Sequence, residues 1–145
     1  MSSIDFNSRP SLQAVVDKYD SMLERMKTEL SAAFDGVQWT EFQQGTSIDV
    51  AVPGAPGQAV NYSSAAWVAE LPLQGADRDK ALQILSKVGA DYGFAAPQTM
   101  QSNESHIEVT GSDALGARYE LSSGSKTTLS YLSGLHLAQK LKSAD

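Results

Sequence analysis

A short acidic segment around one histidine is the strongest candidate for chemistry in this sequence: Glu104-Ser105-His106-Ile107-Glu108. Side chains two residues apart point to the same face of a β-strand, so Glu104, His106 and Glu108 would lie together. Two carboxylates and an imidazole could bind a divalent metal ion or act as acid and base groups. The same alternation is typical of a strand whose apolar residues face the core while its polar residues face water. We favour the solvated strand and keep a metal-dependent or hydrolytic enzyme as an alternative.

Other common catalytic arrangements are missing from the sequence. It contains no cysteine, which excludes disulfides, thiolate nucleophiles and cysteine-based metal sites. There is no G-x-S-x-G, P-loop or dinucleotide-binding motif. We therefore predict a protein that is not an enzyme, with no catalytic residue and no cofactor.

Length and charge limit the classes of partner. The chain has 145 residues and a formal net charge of −6, with 11 basic and 17 acidic side chains. Binding to a nucleic-acid backbone needs clustered Lys and Arg, so nucleic acid is not an expected partner. No apolar stretch approaches the ~20 residues that cross a bilayer.

Hydrophobic periodicity predicts the elements that must position any site. Apolar residues recur every three or four positions from Leu12 to Phe34 and again from Ala81 to Tyr92, which indicates two amphipathic helices. Alternation with period two indicates strands, and a last short helix is expected over Leu135 to Lys142. The expected strands lie near residues 37–39 and 48–52, and at residues 64–71, 106–110, 117–121 and 127–132.

These elements predict an α+β fold. Each helix must bury its apolar stripe, and the strands offer one apolar face each. We expect a two-layer sandwich in which two helices cover one face of a mostly antiparallel sheet of four to five strands. The expected order is α-β-β-α-β-β-β followed by the short C-terminal helix. Residues 1–9 are predicted to be a flexible tail, and residues 10–145 a single domain.

A loop rich in proline and glycine is the candidate binding element. Residues 53–58 cannot pair in a β-ladder because of this composition. Loops on a rigid sheet often carry recognition, so we predict binding at Pro53, Gly54, Pro56 and the neighbouring Tyr62.

Several segments, taken in order, resemble the soluble domain of actinobacterial LppA-type lipoproteins, a poorly characterised family. The resemblance rests on Pro10-Ser11-Leu12, Val37-Gln38-Trp39, Ala81 to Phe94 ending in Asp91-Tyr92-Gly93-Phe94, and Leu132-Ser133-Gly134-Leu135-His136-Leu137. It implies a domain on the outer face of the plasma membrane, attached through a lipid anchor that this chain lacks. Without the resemblance, the expected location is the cytoplasm.

In members of this family, two further cysteines look like a disulfide that joins an early strand to the final one, and the resemblance implies that this chain has other residues at those two positions. Leu135 stands at the place of the second cysteine, and Ile48 is the candidate for the first. Burial of an aliphatic pair there would contribute roughly 3–6 kcal/mol, comparable with the typical 2–4 kcal/mol of a disulfide.

We therefore expect a non-enzymatic, envelope-associated domain that binds a protein or small molecule at the cell surface. A phage- or prophage-encoded lipoprotein is one specific version. Besides the enzyme that uses Glu104, His106 and Glu108, a further alternative is a cytoplasmic dimerising module. Its apolar sheet face would be formed by Val68, Val109 and Leu132.

Overall fold

The computed structural model describes residues 9–50 and 59–137. The helices and strands follow one another as α1 (Leu12–Ala33), β1 (Trp39–Gln43), β2 (Thr46–Val50), β3 (Ala59–Ser63), β4 (Ala66–Ala69), α2 (Ala76–Asp91), β5 (Gln98–Ser102), β6 (Ile107–Ser112), β7 (Arg118–Ser123) and β8 (Thr127–Leu137). No helix in the described part of the chain is both long enough and apolar enough to cross a membrane.

The long helix α1 forms where the apolar spacing predicts it. The side chain of Ser11 caps it by accepting a hydrogen bond from the Ala14 N–H at 3.3 Å. Its buried apolar residues recur at three- and four-residue spacing along one face: Val15, Tyr19, Met22, Leu23, Met26 and Leu30. This stripe is what α1 packs against the sheet.

The strands form one antiparallel sheet in which β8 is central. The order is β1-β4-β8-β7-β6-β5, and β3 pairs with both β2 and β8. The first residues of β8 pair with β4, its later residues pair with β3, and β7 lies along its other side. The eleven residues of β8 therefore join the two halves of the sheet.

Both helices cover the same face of this sheet. Residues of α1 and α2 share one hydrophobic core with Val109 of β6, Leu121 of β7 and Leu129 of β8. The opposite face of β6 and β7 carries Glu108, Thr110 and Glu120, in alternation with the buried positions. The predicted α+β class and two-layer arrangement are confirmed.

The sheet has eight strands where we expected four to five. Residues 59–63 form β3 and residues 98–102 form β5, neither of which periodicity predicts. All five residues of β5 are exposed, so this edge strand has no buried face to leave an alternating pattern. The resulting order is α-β-β-β-β-α-β-β-β-β.

The predicted C-terminal helix is wrong at its start. Leu135 and His136 extend β8 and face Asn61 and Val60 of β3. Pairing with β3 gives these residues backbone hydrogen bonds to a neighbouring strand. A short helix at this place would lack this pairing and would be only marginally stable by itself. The rest of that prediction, from residue 138 to Lys142, lies outside the described residues.

Ile48 and Leu135 do not form the expected buried pair. Asn61 of β3 faces Ile48 on one side and Leu135 on the other, so a whole strand separates them. Two strand spacings are about 9.6 Å, beyond the ~7 Å between Cα atoms that a disulfide can span. Ile48 is also 59% exposed, and therefore contributes little burial energy.

The apolar face that the dimer alternative requires is also not formed as predicted. Val109 is fully buried against the helices, on the face opposite to Val68 and Leu132. The alternation in β6 explains this, since Ile107 and Val109 share the inward face. The outward positions beside Leu132 are polar.

Candidate functional site

The segment that the enzyme alternative uses as a metal or acid–base site lies partly in a turn. His106 and Glu108 contact each other, with 3.0 Å between Nε2 and Oε2, and Ser122 Oγ lies 3.3 Å from the same nitrogen. Glu104 precedes β6, in the turn where His106 N–H bonds back to Asn103 O. Among residues 9–50 and 59–137, no three His, Asp or Glu side chains are grouped closely enough to hold a metal ion.

The predicted binding loop can be followed only at Tyr62. Pro53, Gly54 and Pro56 lie outside the described residues. Tyr62 lies in β3 and lines a cavity of about 220 Å³ between α1 and the β3–β4 segment. The other lining residues are Asp20, Leu23, Glu24, Ser64, Ala65 and Trp67.

Hydrogen bonds fix the inner wall of this Tyr62 cavity. The Tyr131 hydroxyl donates to Asp20 Oδ1 at 2.7 Å, which holds that carboxylate beside the sheet. The buried Ser64 hydroxyl accepts from the Tyr131 N–H at 2.9 Å and donates to Ala65 O at 2.8 Å. Ser64 thus connects the short segment between β3 and β4 to the central strand β8 by a hydrogen bond.

Beside the Tyr62 cavity, a cation is held on the ring of Trp67, which is one of the lining residues. The Lys27 ammonium lies 3.3 Å from the Trp67 ring centroid and 2.5 Å from Glu24 Oε2. Lys27 is only 7% exposed, so its charge needs both partners. The ion pair balances the charge of Glu24, whereas Asp20 has no cationic partner among the described residues.

Tyr62 lies in a region of negative potential. Burial raises the pKa of its hydroxyl, and the nearby carboxylates of Asp20 and Glu41 raise this pKa further. The hydroxyl lies against Gly45, where a Cβ atom would stand 2.2 Å from the Tyr62 oxygen. The glycine between β1 and β2 therefore makes room for the ring.

The chain has a second, larger cavity of about 330 Å³ at the start of α1. Its walls come from Pro10, from α1, from the end of α2 and from the connection between β6 and β7. Here the Tyr19 hydroxyl donates to Asp113 Oδ2, and Asp113 Oδ1 accepts from the Leu115 and Ala117 N–H groups at 2.9 Å each. Burial and the Asp113 carboxylate both raise the pKa of Tyr19, so its hydroxyl stays protonated.

Of the residues lining the Tyr62 cavity, sequence reasoning selected only Tyr62 itself. Asp20 and Glu24 are four residues apart and share a face of α1, but in the sequence this spacing indicates only the solvent-exposed side of a helix. Trp67 has the spacing of a strand residue that faces the core. Only the packing of α1 on β4 brings these side chains together, and no local sequence pattern encodes that contact.

A sequence comparison decides the family. The profile described as "LppA: Lipoprotein confined to pathogenic Mycobacterium" matches residues 4–139. The chain belongs to the LppA family. The family is described as a lipoprotein family. The comparison with curated proteins finds no match.

Two solved structures share the LppA-family fold. The crystal structure of the lipoprotein LppA from Mycobacterium tuberculosis superposes with a TM-score of 0.74 at 14% identity, covering 93% of this chain and 83% of that one. A DUF4853 family protein from Actinomyces odontolyticus gives a TM-score of 0.66, also at 14% identity, with coverages of 94% and 75%. The predicted resemblance to LppA-type lipoproteins is therefore confirmed.

Proposed function

We propose that this LppA-family protein is a non-enzymatic domain of the cell envelope that binds a ligand carrying an ammonium group at the cell surface. The observation that carries the proposal is the Tyr62 cavity, where the ring of Tyr62 lies near the Asp20 carboxylate, whose charge no cation among the described residues balances. Aromatic faces and carboxylates are the groups that bind alkylammonium ions. A protein lysine or a small amine supplies the same chemistry.

Two features support a cationic ligand over a neutral one. Lys27 shows that an ammonium group lies favourably on the Trp67 ring next to Glu24. After burial, the charges of Asp20 and Glu41 both raise the pKa of the Tyr62 hydroxyl, so both carboxylates lie close enough to act on this wall of the cavity. A bound cation would balance the negative charge of Asp20, whereas a neutral molecule would leave this charge unbalanced.

Binding can be tested with choline as the probe. We expect choline to shift the amide NMR signals of Tyr62, Ser64 and Ala65, and its neutral isostere 3,3-dimethylbutanol to shift them much less. Asp20→Asn keeps an acceptor for the Tyr131 hydroxyl but removes the charge, so choline binding should weaken about five- to tenfold.

The matched control is Asp17→Asn, since Asp17 lies on the exposed side of α1 and, among the described residues, accepts a hydrogen bond from Gln13 alone. This variant should bind choline like the unmodified protein. Equal binding of choline and its isostere, or equal weakening by both substitutions, would contradict a cation site at Tyr62.

Location in the envelope is tested separately. We expect fractionation of the organism that encodes the protein to place the natural gene product with the membrane, and intact mass spectrometry to find a lipid on it. An unmodified protein in the cytoplasmic fraction would contradict the envelope proposal. The phage-encoded version stays a prediction, as does the enzyme that uses Glu104, His106 and Glu108.

A further inference from the structure

The second cavity, at the start of α1, combines apolar walls with a single cation at its mouth. Its walls are formed by Pro10, Ala14, Val15, Ala114 and Leu115 together with the rings of Tyr19 and Tyr92. Its volume of about 330 Å³ is at the lower end of the range of small-molecule pockets. A cavity at this end of the range suits a small ligand of about ten heavy atoms.

The polar groups of the wall are already hydrogen-bonded. Both oxygens of Asp113 accept hydrogen bonds, from the Tyr19 hydroxyl and from the Leu115 and Ala117 N–H groups. The Tyr19 hydroxyl is used as a donor in the same contact. A ligand inside the cavity therefore meets carbon surface and finds no free carboxylate.

Lys18 is the charged group that remains. It is exposed, its Nζ lies 5.8 Å from the Tyr19 ring centroid, and it forms no ion pair with any residue in the described ranges. A Cβ atom on Gly93 would stand 4.0 Å from this Nζ, which places the ammonium beside the opposite wall.

From this arrangement we infer that the cavity binds a small amphiphilic acid, with its hydrocarbon part between Val15 and Leu115 and its carboxylate at Lys18. The apolar walls favour a ligand with a hydrocarbon chain, and the positive charge of Lys18 favours a ligand with a negatively charged group. This site is separate from the Tyr62 cavity, and it binds an anion where the Tyr62 cavity is proposed to bind a cation. Each proposal can therefore be tested without the other.

Octanoate, with ten heavy atoms, is the probe that fits this volume. We expect it to bind in isothermal titration calorimetry and to shift the amide NMR signals of Gly93, Ala114 and Leu115. Octan-1-ol, which keeps the chain but has no charge, should bind about fivefold more weakly. Lys18→Met keeps the apolar stem of the side chain and should weaken octanoate about fivefold, while binding of octan-1-ol stays unchanged.

Two further variants locate the site. Ala14→Leu fills the cavity from an exposed helix position, so it should reduce octanoate binding at least tenfold with an unchanged melting temperature. Lys126→Met, which removes a lysine that pairs with Glu70 on another part of the surface, should leave octanoate binding unchanged.

Three results would overturn the inference. One is equal weakening of octanoate by Lys18→Met and Lys126→Met, which would indicate a general charge effect. Another is unchanged binding in a folded Ala14→Leu variant. The third is binding to phosphatidylglycerol vesicles without binding of free octanoate, which would indicate a membrane surface contact in place of an enclosed ligand.

Discussion

Single buried polar residues hold the connection from β4 to α2 against the sheet. Thr127 Oγ1 donates to Leu71 O, Ser123 Oγ lies 2.7 Å from Thr127 Oγ1, and the Leu73 N–H donates to Ser123 Oγ at 3.0 Å. Ser123 and Thr127 are fully buried. Their side chains form hydrogen bonds with the Leu71 carbonyl and the Leu73 N–H, which have no partner in a neighbouring strand.

Thr127→Val should therefore destabilise the protein. The substitution keeps the shape of the side chain but leaves the Leu71 carbonyl and the Ser123 hydroxyl short of a partner, at a cost of about 1–3 kcal/mol. Urea unfolding measures this loss. Thr128→Val is the control, because Thr128 points to the other face of β8, and it should change the free energy of unfolding by less than about 0.5 kcal/mol.

His136 gives the fold a dependence on pH. The side chain of His136 is completely buried, and its Nδ1 lies 3.0 Å from Pro10 O. Burial lowers the pKa of His136, and Arg9 lowers it further. Below the unfolded pKa of about 6.5, the unfolded chain binds a proton more readily than the folded one, so stability falls as the pH falls.

We expect the free energy of unfolding to decrease from pH 7 to pH 5, by at most about 1.4 kcal/mol per pH unit from this residue. His136→Asn keeps a donor for Pro10 O without the titrating group, so its pH profile should be flatter. Chemical denaturation at several pH values checks this. Profiles of equal slope in the two proteins would show that His136 does not titrate between pH 7 and pH 5.

At the scale of elements, β8 depends on one glycine where its pairing with β3 is irregular. Gly134 has a φ of +79° next to the irregularity where β8 shifts its register against β3. A Cβ atom there would stand 2.8 Å from Leu115 O. The position needs both the backbone freedom and the small size of glycine.

Gly134→Ala should cost more than an ordinary glycine substitution. Gly116 is a matched control, because its φ of +90° is equally unfavourable for alanine but it has open space around it. We expect Gly116→Ala to lose about 1–2 kcal/mol from backbone strain, and Gly134→Ala to lose at least about 1 kcal/mol more. Equal losses in thermal or urea unfolding would contradict a close contact with Leu115.

The elements with a clear periodic pattern of apolar residues could be predicted from the sequence, and β3 and β5 could not. The apolar stripe of α1 and the alternation in β6, β7 and β8 come directly from burial on one side. β5 is a polar edge strand, and β3 follows the Pro/Gly segment, so neither shows a clear pattern. The site was less predictable still, because Asp20 and Trp67 meet only through tertiary packing.

At the scale of the whole molecule, the outward face of the sheet argues against dimerisation. Glu108, Arg118 and Glu120 lie on this face, and Arg118 and Glu120 form an ion pair at 2.9 Å. The exposed large apolar side chains among the described residues, Phe42, Ile48 and Met100, are distributed over β1, β2 and β5. Burying a charged face without matching partners is unfavourable.

We therefore expect a monomer of 15.5 kDa in size-exclusion chromatography with light scattering, including at high protein concentration. The dimerising alternative predicts twice this mass. If a dimer is found, Leu132→Lys on the outward face provides the check, since a dimer formed through this face should dissociate in the variant.

The first and last described residues lie side by side. Arg9 Nη1 donates to Leu135 O at 2.6 Å, and Pro10 O lies 3.0 Å from His136 Nδ1. The order of elements along the chain is therefore not essential to their packing. A circularly permuted gene, with the present ends joined by a linker and new ends opened between the exposed Ser125 and Lys126, should encode the same three-dimensional structure.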